Sequence, residues 1–580
     1  MIGLVLKGPP PSPTGLGNGL RPTTASFSPE GSSGPTNIPL ELAALCERAM
    51  KREPADRFAH AGELAHEVGL WLEGARKRDQ ARIRVAEARA LYPKVNICRQ
   101  RASKLRREAA RLLVGIPRHA PASAKRPAWR LQDQSEKEER DAAIMETQAV
   151  QLLHGAISLA PELTEAHDLL AEYYRLRHQR AEQHRHTALA ARYEAMLRSH
   201  DTGRNTAYLK GTGRLTLLTS ESDAEVVAMR YLERGRTLVP VSPRVIGRTP
   251  LVGRWIPSGT SVLVIRKQGF AEVRYPVYLG RLEHWDGTAP RGCAPDPIHM
   301  PFEDEIGSGE CYIPAGWFLC GGDHETRSPK RIWVDGFVIQ QFPVSVGDYL
   351  AFLNALVRDG REQVALTHAP RRQASRDSEP GESLLDRDAD GLFFLSEERT
   401  ASLGWRANWP ITMIDWYSAS AYAEWSASET GLGWRLPAEL EWEKAARGVD
   451  ARIHPWGDFL DPSFCNMRDS HAGDPSPSAI DSFRIDQSPY QVCGMAGNTR
   501  DFCLDVYQAR GPLVRADGRA VVQPPTRDEF ETPRTERGGS WRSSARLVRV
   551  GVRNAVLPWD RSPERGFRLA RPILDTEEED

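Results

Sequence analysis

The chain has 580 residues, too many for one ordinary hydrophobic core, so several domains are expected. Lysine plus arginine equals aspartate plus glutamate at 77 each, which excludes a polycation built for nucleic acid. No apolar run is long enough to span a bilayer, and the opening MIGLVLKGPPPSP lacks the apolar centre of a signal peptide, so a cytoplasmic location is expected. The eight cysteines are scattered without a CxxC pair, which argues against a zinc module or a disulfide scaffold.

Residues 1–36 are rich in Gly, Pro, Ser and Thr and read as a flexible tail. Residues 37–76 predict two helices. Leu42, Leu45, Cys46 and Ala49 share one face, and Pro54 breaks that helix. Leu64, Val68 and Trp71 line the second, which Gly74 is expected to end. The run from Leu42 to Trp71, with EPADRF at its centre, resembles the last two helices of a bacterial Ser/Thr protein kinase. In such kinases the residue matching Arg57 pairs with a glutamate of the large lobe. No HRD-type loop, DFG or glycine-rich loop with a strand lysine is found in the sequence, so this part is expected to be an incomplete kinase piece whose partner is a kinase lobe or a kinase.

Residues 77–205 are charged and helical in pattern, with a break between Pro117 and Pro127. Similarity to tetratricopeptide repeats is faint and covers fewer repeats than a solenoid needs, so a helical spacer is expected. His178, Glu182 and His186 recur every fourth residue; a solvated face is preferred over a metal site, because no further ligands lie nearby. Residues 211–285 change to short β-rich runs. There Gly247, Thr249, Pro250, Leu251, Pro257, Gly259, Gly269 and Phe270 carry a resemblance to the PEGA type of small β-module.

From residue 308 to 573 tryptophan is frequent. Val346–Leu356 predicts a helix with Tyr349, Phe352, Leu353 and Leu356 inward; WYSASAYAEWSA predicts another with Trp416, Ala419, Tyr422 and Ala423 on one face. Four blocks follow in order: WRLPAELEWEKAARG, PYQVCGMAGNTRDF, RGGSWRSSARLVRVGVRN and RGFRLARP. In this order and spacing the region resembles the formylglycine-generating-enzyme, or sulfatase-modifying-factor, family. The resemblance implies a mixed α+β, loop-rich domain related to C-type lectin folds. The expected architecture is therefore multidomain: an α-helical N-terminal half, a small β-domain, this C-terminal domain, and an acidic tail over 574–580.

Catalytic members of that family bind Cu(I) through two cysteines that follow the GGS segment. The matching positions are Ser543 and Val548. Serine is a hard, protonated donor and valine has no donor, so copper is not expected. Cys493 and Cys503, the alternative pair for a rebuilt metal site, read as packed side chains. The resemblance also implies calcium, with Asn466, the Met467 backbone, Gly497, Thr499 and Asp501 as ligands. A metal-free loop held by hydrogen bonds is the equal alternative, because Gly494 replaces an expected amide or acid. Glu441 with Arg435 is expected to fix a loop by an ion pair.

The expected function is a ligand- or protein-binding module in a kinase-fusion signalling protein, without copper-thiol oxidase activity. A groove near Trp541, Arg542, Ser543 and Arg553 would take a peptide, protein or small ligand; Trp405, Trp409, Trp416, Trp541 and Trp559 are candidates for stacking surface, although most tryptophans of such a domain are expected in its core. The alternatives are an oxidoreductase with a rebuilt metal site, or a truncated kinase fusion.

Overall fold

The computed structural model describes residues 39–117, 120–183, 186–321, 329–372, 381–526, 529 and 531–573. The two expected tails, 1–36 and 574–580, lie outside the described residues. The chain forms two compact units, Met1–Leu209 and Lys210–Asp580. No described helix is long and apolar enough to cross a membrane.

The first unit is helical. Helix α1 spans Leu40–Ala49 and α2 spans Ala61–Leu113; α3 is Ala122–Leu159, α4 Thr164–Gln183, α5 Thr187–His200 and α6 Thr206–Leu209. Within α1, Leu42, Leu45 and Ala49 are half-buried as expected, but Cys46 is exposed and Ala43 is the buried residue. Gly74 does not end the second helix, which is 53 residues long in all and passes through Pro93 as well. A mid-helix glycine costs only about 1 kcal/mol, and long-range pairing offsets it.

That pairing has a simple pattern. Ala81, Ala88, Val95, Ala102 and Ala109 of α2 are buried at seven-residue intervals, as are Ala128, Ser135, Ala142, Ala149 and Ala156 of α3. A strict seven-residue repeat keeps one seam facing its partner along the whole length. Small residues on the seam let the backbones approach closely, so Ser135 Oγ donates to the Ala102 carbonyl at 3.0 Å. Arg84 likewise donates to the Gly155 carbonyl at 2.9 Å. Glu146 accepts from Arg99 and Arg177, tying α4 to the pair. The expected solvated His178–Glu182–His186 face is not found at His178, which is buried with its Nδ1 2.7 Å from Tyr208 Oη and its Nε2 3.6 Å from Glu182.

The second unit begins with β1 (Thr212–Leu217), β2 (Glu225–Arg234), β3 (Thr237–Arg248), β4 (Leu251–Pro257), β5 (Gly259–Arg266), β6 (Val273–Leu279) and β7 (His284–Trp285). They form an antiparallel sheet in the order β3-β2-β5-β6 and a smaller one in the order β4-β1-β7. Gly235 and Arg236, both at positive φ, close the β2–β3 hairpin in the two-residue form that matches strand twist. Its core is not separate: Leu215, Val226, Leu263 and Tyr275 belong to one apolar cluster with Tyr349, Trp416 and Phe567.

Next come β8 (Glu310–Ile313), β9 (Gly316–Cys320), β10 (Lys330–Val334), β11 (Phe337–Gln340), α7 (Val346–Arg358), α8 (Glu362–His368), β12 (Asp386–Arg387), β13 (Phe393–Phe394), α9 (Glu397–Leu403), α10 (Trp416–Thr430) and α11 (Glu439–Arg447). Strands β14 (Arg500–Val506), β15 (Arg534–Arg537), β16 (Arg553–Val556), β17 (Arg565–Gly566) and β18 (Ala570–Pro572) complete it. Strand orders are β18-β11-β8 and β16-β15-β14-β17. Helix α7 opens on a Ser345/Asp348 capping box and buries the expected Tyr349, Phe352, Leu353 and Leu356. Helix α10 is capped by Asp415 and buries Trp416, Ala419, Tyr422 and Ala423. All nine residues of α11 are buried, and Arg435 grips Glu441 through two 2.7 Å bonds, as expected.

Candidate functional site

Strand β15 leads into Gly538-Gly539-Ser540, a turn only glycine can make at its centre. A Cβ on Gly539 would fall 2.5 Å from the Ala496 carbonyl and 2.8 Å from a Val548 methyl. The turn then closes on itself: Ser543 N–H donates to Ser540 O, and Ser540 N–H donates to Ser543 Oγ, both at 2.9 Å. Ser543 is therefore buried with its hydroxyl facing inward.

Strand β14 brings a guanidinium to that hydroxyl. Arg500 Nη2 lies 3.3 Å from Ser543 Oγ, and the same group ion-pairs with Glu536 at 3.4 Å and Glu564 at 3.5 Å. Ser540 Oγ donates to Glu564 at 2.5 Å, and Arg565 holds the far side of Glu536 at 2.7 Å. Val548 sits in a different environment, packed with Trp456, Phe464, Cys465, Met467 and Ala496. This donor set does not fit copper(I). It offers one alcohol engaged by a cation and one hydrocarbon, and a guanidinium at hydrogen-bond distance opposes a second positive charge.

The candidate groove residues divide. Trp541 is buried, with its ring N–H donating to the Pro563 carbonyl at 3.0 Å, and exposed Arg542 lies over that ring at 4.7 Å. Arg553 does not join them. It binds Glu439, donates to the Gln508 carbonyl and covers the Tyr507 ring, and it shares no hydrogen-bond partner with Ser543 among the described residues. Trp405, Trp416 and Trp541 are core rather than stacking surface; Trp409 and Trp559 are half-exposed.

The expected calcium ligands are engaged with protein groups. Asn466 Oδ1 lies 2.7 Å from His471 Nε2, its amide nitrogen donates to Ser476, Ser478 and Asn498, and its carbonyl accepts from Asn498 N–H. The Met467 carbonyl accepts from Ser470 and the Gly497 carbonyl from Thr499. Fully buried Arg568 donates to Asp501 Oδ2 at 2.6 Å and to the carbonyls of Gln341, Cys493 and Gly494 at 3.0–3.2 Å. Trp442 also donates to Asp501 Oδ2, and buried Asp501 Oδ1 has no hydrogen-bond partner among the described residues. At Asp501 a buried guanidinium therefore stands where a cation would be held, and the Asn466, Met467 and Gly497 carbonyl groups accept from protein donors instead. Among the described residues, no group of three or more His, Cys, Asp or Glu could hold a metal.

Cys493 and Cys503 lie in different surroundings. Burial pushes the Cys493 thiol up to about 11 and Cys503 well above its ordinary value, so neither is a ready thiolate. Sequence reasoning missed a buried ionic spine. Arg537 spans Glu439 at 3.4 Å and Glu443 at 2.5 Å, and Glu443 faces Arg447 at 3.5 Å. The i,i+4 spacing of Glu439, Glu443 and Arg447 was the available signal.

Residues 299–573 match the model of the sulfatase-modifying factor enzyme 1-like domain. The chain is 28% identical over 307 residues to a formylglycine-generating enzyme of Thermomonospora curvata, covering 47% of this chain and 95% of that one. It is 27% identical over 312 residues to the inactive C-alpha-formylglycine-generating enzyme 2 of Bos taurus, covering 46% and 90%. It is 32% identical over 168 residues to the Ser/Thr protein kinase pkn1 of Chlamydia pneumoniae, covering 29% of this chain but 25% of the kinase. Residues 299–573 are thus a sulfatase-modifying factor enzyme 1-like domain within a longer chain.

Proposed function

We propose that the C-terminal domain is a non-catalytic member of its family, working as a ligand- or protein-binding module in a cytoplasmic signalling protein of kinase-fusion type. The observation that carries this is the Arg500–Ser543 contact at 3.3 Å, together with Val548 packed among apolar side chains. The family reaction needs two soft thiolates at those positions, and a guanidinium-bound alcohol and a hydrocarbon supply neither. Similarity to an inactive mammalian relative and to a chlamydial kinase supports the same reading. The segment from Arg542 to Leu547, exposed at Arg542 and over 545–547, is the surface such a partner would meet.

The test is oxidation of a sulfatase-type cysteine peptide in air with added Cu(I). The natural chain should form no aldehyde and retain no copper after desalting. The double variant Ser543→Cys, Val548→Cys should retain copper, because it restores the thiolate pair. Aldehyde formation by the natural chain would overturn the proposal.

A further inference from the structure

A second site lies away from the Ser543 turn, where the first β-rich segment meets the domain. A cleft of about 380 Å³ is lined by Tyr275, Tyr278, Glu283, Trp285, Asp286 and Trp317, with Arg331 at its wall. Each lining group is set by a strand. In β6, Tyr275 points inward and donates to the Ala315 carbonyl at 3.1 Å, while Tyr278 is turned outward. Strand β7 runs parallel to β1, which fixes Trp285, and Trp285 meets the Tyr275 ring edge-on at 5.5 Å. Trp317 of β9 donates its ring N–H to the Thr288 carbonyl at 2.8 Å, stitching the following loop onto the sheet. The cleft is therefore held by strands on both sides, as a binding site should be.

The chemistry is aromatic and acidic. Asp286 gives one oxygen to Thr288 N–H and Glu283 one oxygen to Gly280 N–H; the second oxygen of each has no hydrogen bond among the described residues. The chain places a cation of its own in these surroundings. Arg331 stands diagonal to Trp317 across the β9–β10 pair, with its guanidinium carbon 4.6 Å from the ring centroid and Asp286 and Glu283 as its electrostatic partners. Two carboxylates and one guanidinium thus line the same cleft beside aromatic faces, an arrangement that attracts an organic cation.

We propose that this cleft binds a guanidinium or ammonium group of a small ligand, and that Arg331 competes with it for the Trp317 face. The volume accommodates a single arginine-sized molecule rather than a folded partner.

The experiment is calorimetric titration of the full chain with N-acetyl-arginine amide, with the neutral citrulline analogue as comparison. Saturable binding of the arginine probe, weakened by added salt, is expected. Asp286→Asn and Glu283→Gln keep their backbone acceptors and should each weaken binding by about tenfold. Arg331→Ala should tighten it, because the ring face is vacated. A purely structural role for these groups would not give opposite signs. Equal binding of citrulline amide, no binding of either probe, or weaker binding by Arg331→Ala would each overturn the proposal. None of these outcomes bears on the Ser543 turn.

Discussion

Arg500 Nη2 and Ser543 Oγ, 3.3 Å apart, lie at the edge of a closed hydrogen-bond circuit in which Ser543 also accepts from Ser540 N–H. Removing the hydroxyl leaves that buried N–H without its acceptor. Ser543→Ala should therefore cost about 1–3 kcal/mol, read as a lower urea midpoint with an unchanged slope. No change in midpoint would mean that water replaces the hydroxyl.

Among the described residues, Asp501 is the only carboxylate bonded to the buried Arg568 guanidinium. Asp501→Asn keeps the volume and removes the charge. Breaking one partner of a buried pair typically costs about 3–5 kcal/mol, so the thermal midpoint should fall by several degrees. A midpoint within error of the natural chain would show that the carbonyls alone satisfy Arg568.

Asp505 is half-buried near the Glu439 and Glu441 carboxylates, which repel its charge, and it accepts from Glu439 N–H at 2.5 Å. Burial first, then Glu439, pushes its carboxyl up to about 7. In the unfolded chain it loses its proton near pH 4. Between those values the folded state holds the extra proton, so stability is retained below about pH 4 and falls as pH rises toward about 7. Asp505→Asn should remove roughly one proton's worth of that slope. Identical pH–stability profiles for the two proteins would contradict the assignment.

The oxygens around Asn466 and Asp501 are engaged by His471 and Arg568. Chelation by EDTA, or added calcium, should leave the thermal midpoint unchanged. A bound ion at a hundred times its dissociation constant would add about 2.7 kcal/mol, which a melting curve resolves easily.

The α2–α3 seam predicts intolerance to bulk. Ala102 lies under Ser135, whose hydroxyl reaches its carbonyl at 3.0 Å. Ala102→Leu should overpack the crossing by about 1–3 kcal/mol and lower the cooperativity of helix melting followed by circular dichroism. Ala102→Ser should be mild.

Elements fixed by local chemistry were legible. The Ser345/Asp348 box and the spacing of Tyr349, Phe352 and Leu356 define α7 without help from elsewhere, and the Arg435–Glu441 clamp follows from one short block. Elements fixed by partners distant in sequence were not. Gly74 reads as a helix end because its propensity is local, whereas the alanine seam that carries α2 onward depends on α3. The same holds at the candidate site. Ser543 and Val548 could be named from the family resemblance, but the guanidinium on Ser543 comes from β14 and the capture of Asp501 by Arg568 from near the C-terminal strand. Arg553 belongs to the same quoted block as Ser543 yet is drawn to Glu439 by charge.

Family similarity begins at residue 299, yet the apolar cluster that holds the domain together begins at Leu215. Leu238 N–H bonds the Trp456 carbonyl at 2.7 Å, and Arg452 covers the Tyr231 ring at 4.8 Å, so the seam is polar as well as greasy. A cut placed where the homology starts would strip Leu263, Ile265 and Tyr275 from the cluster and leave a wound in the interior. The inherited edge and the mechanical edge of this fold are thus different places, and expression fragments should begin near residue 210.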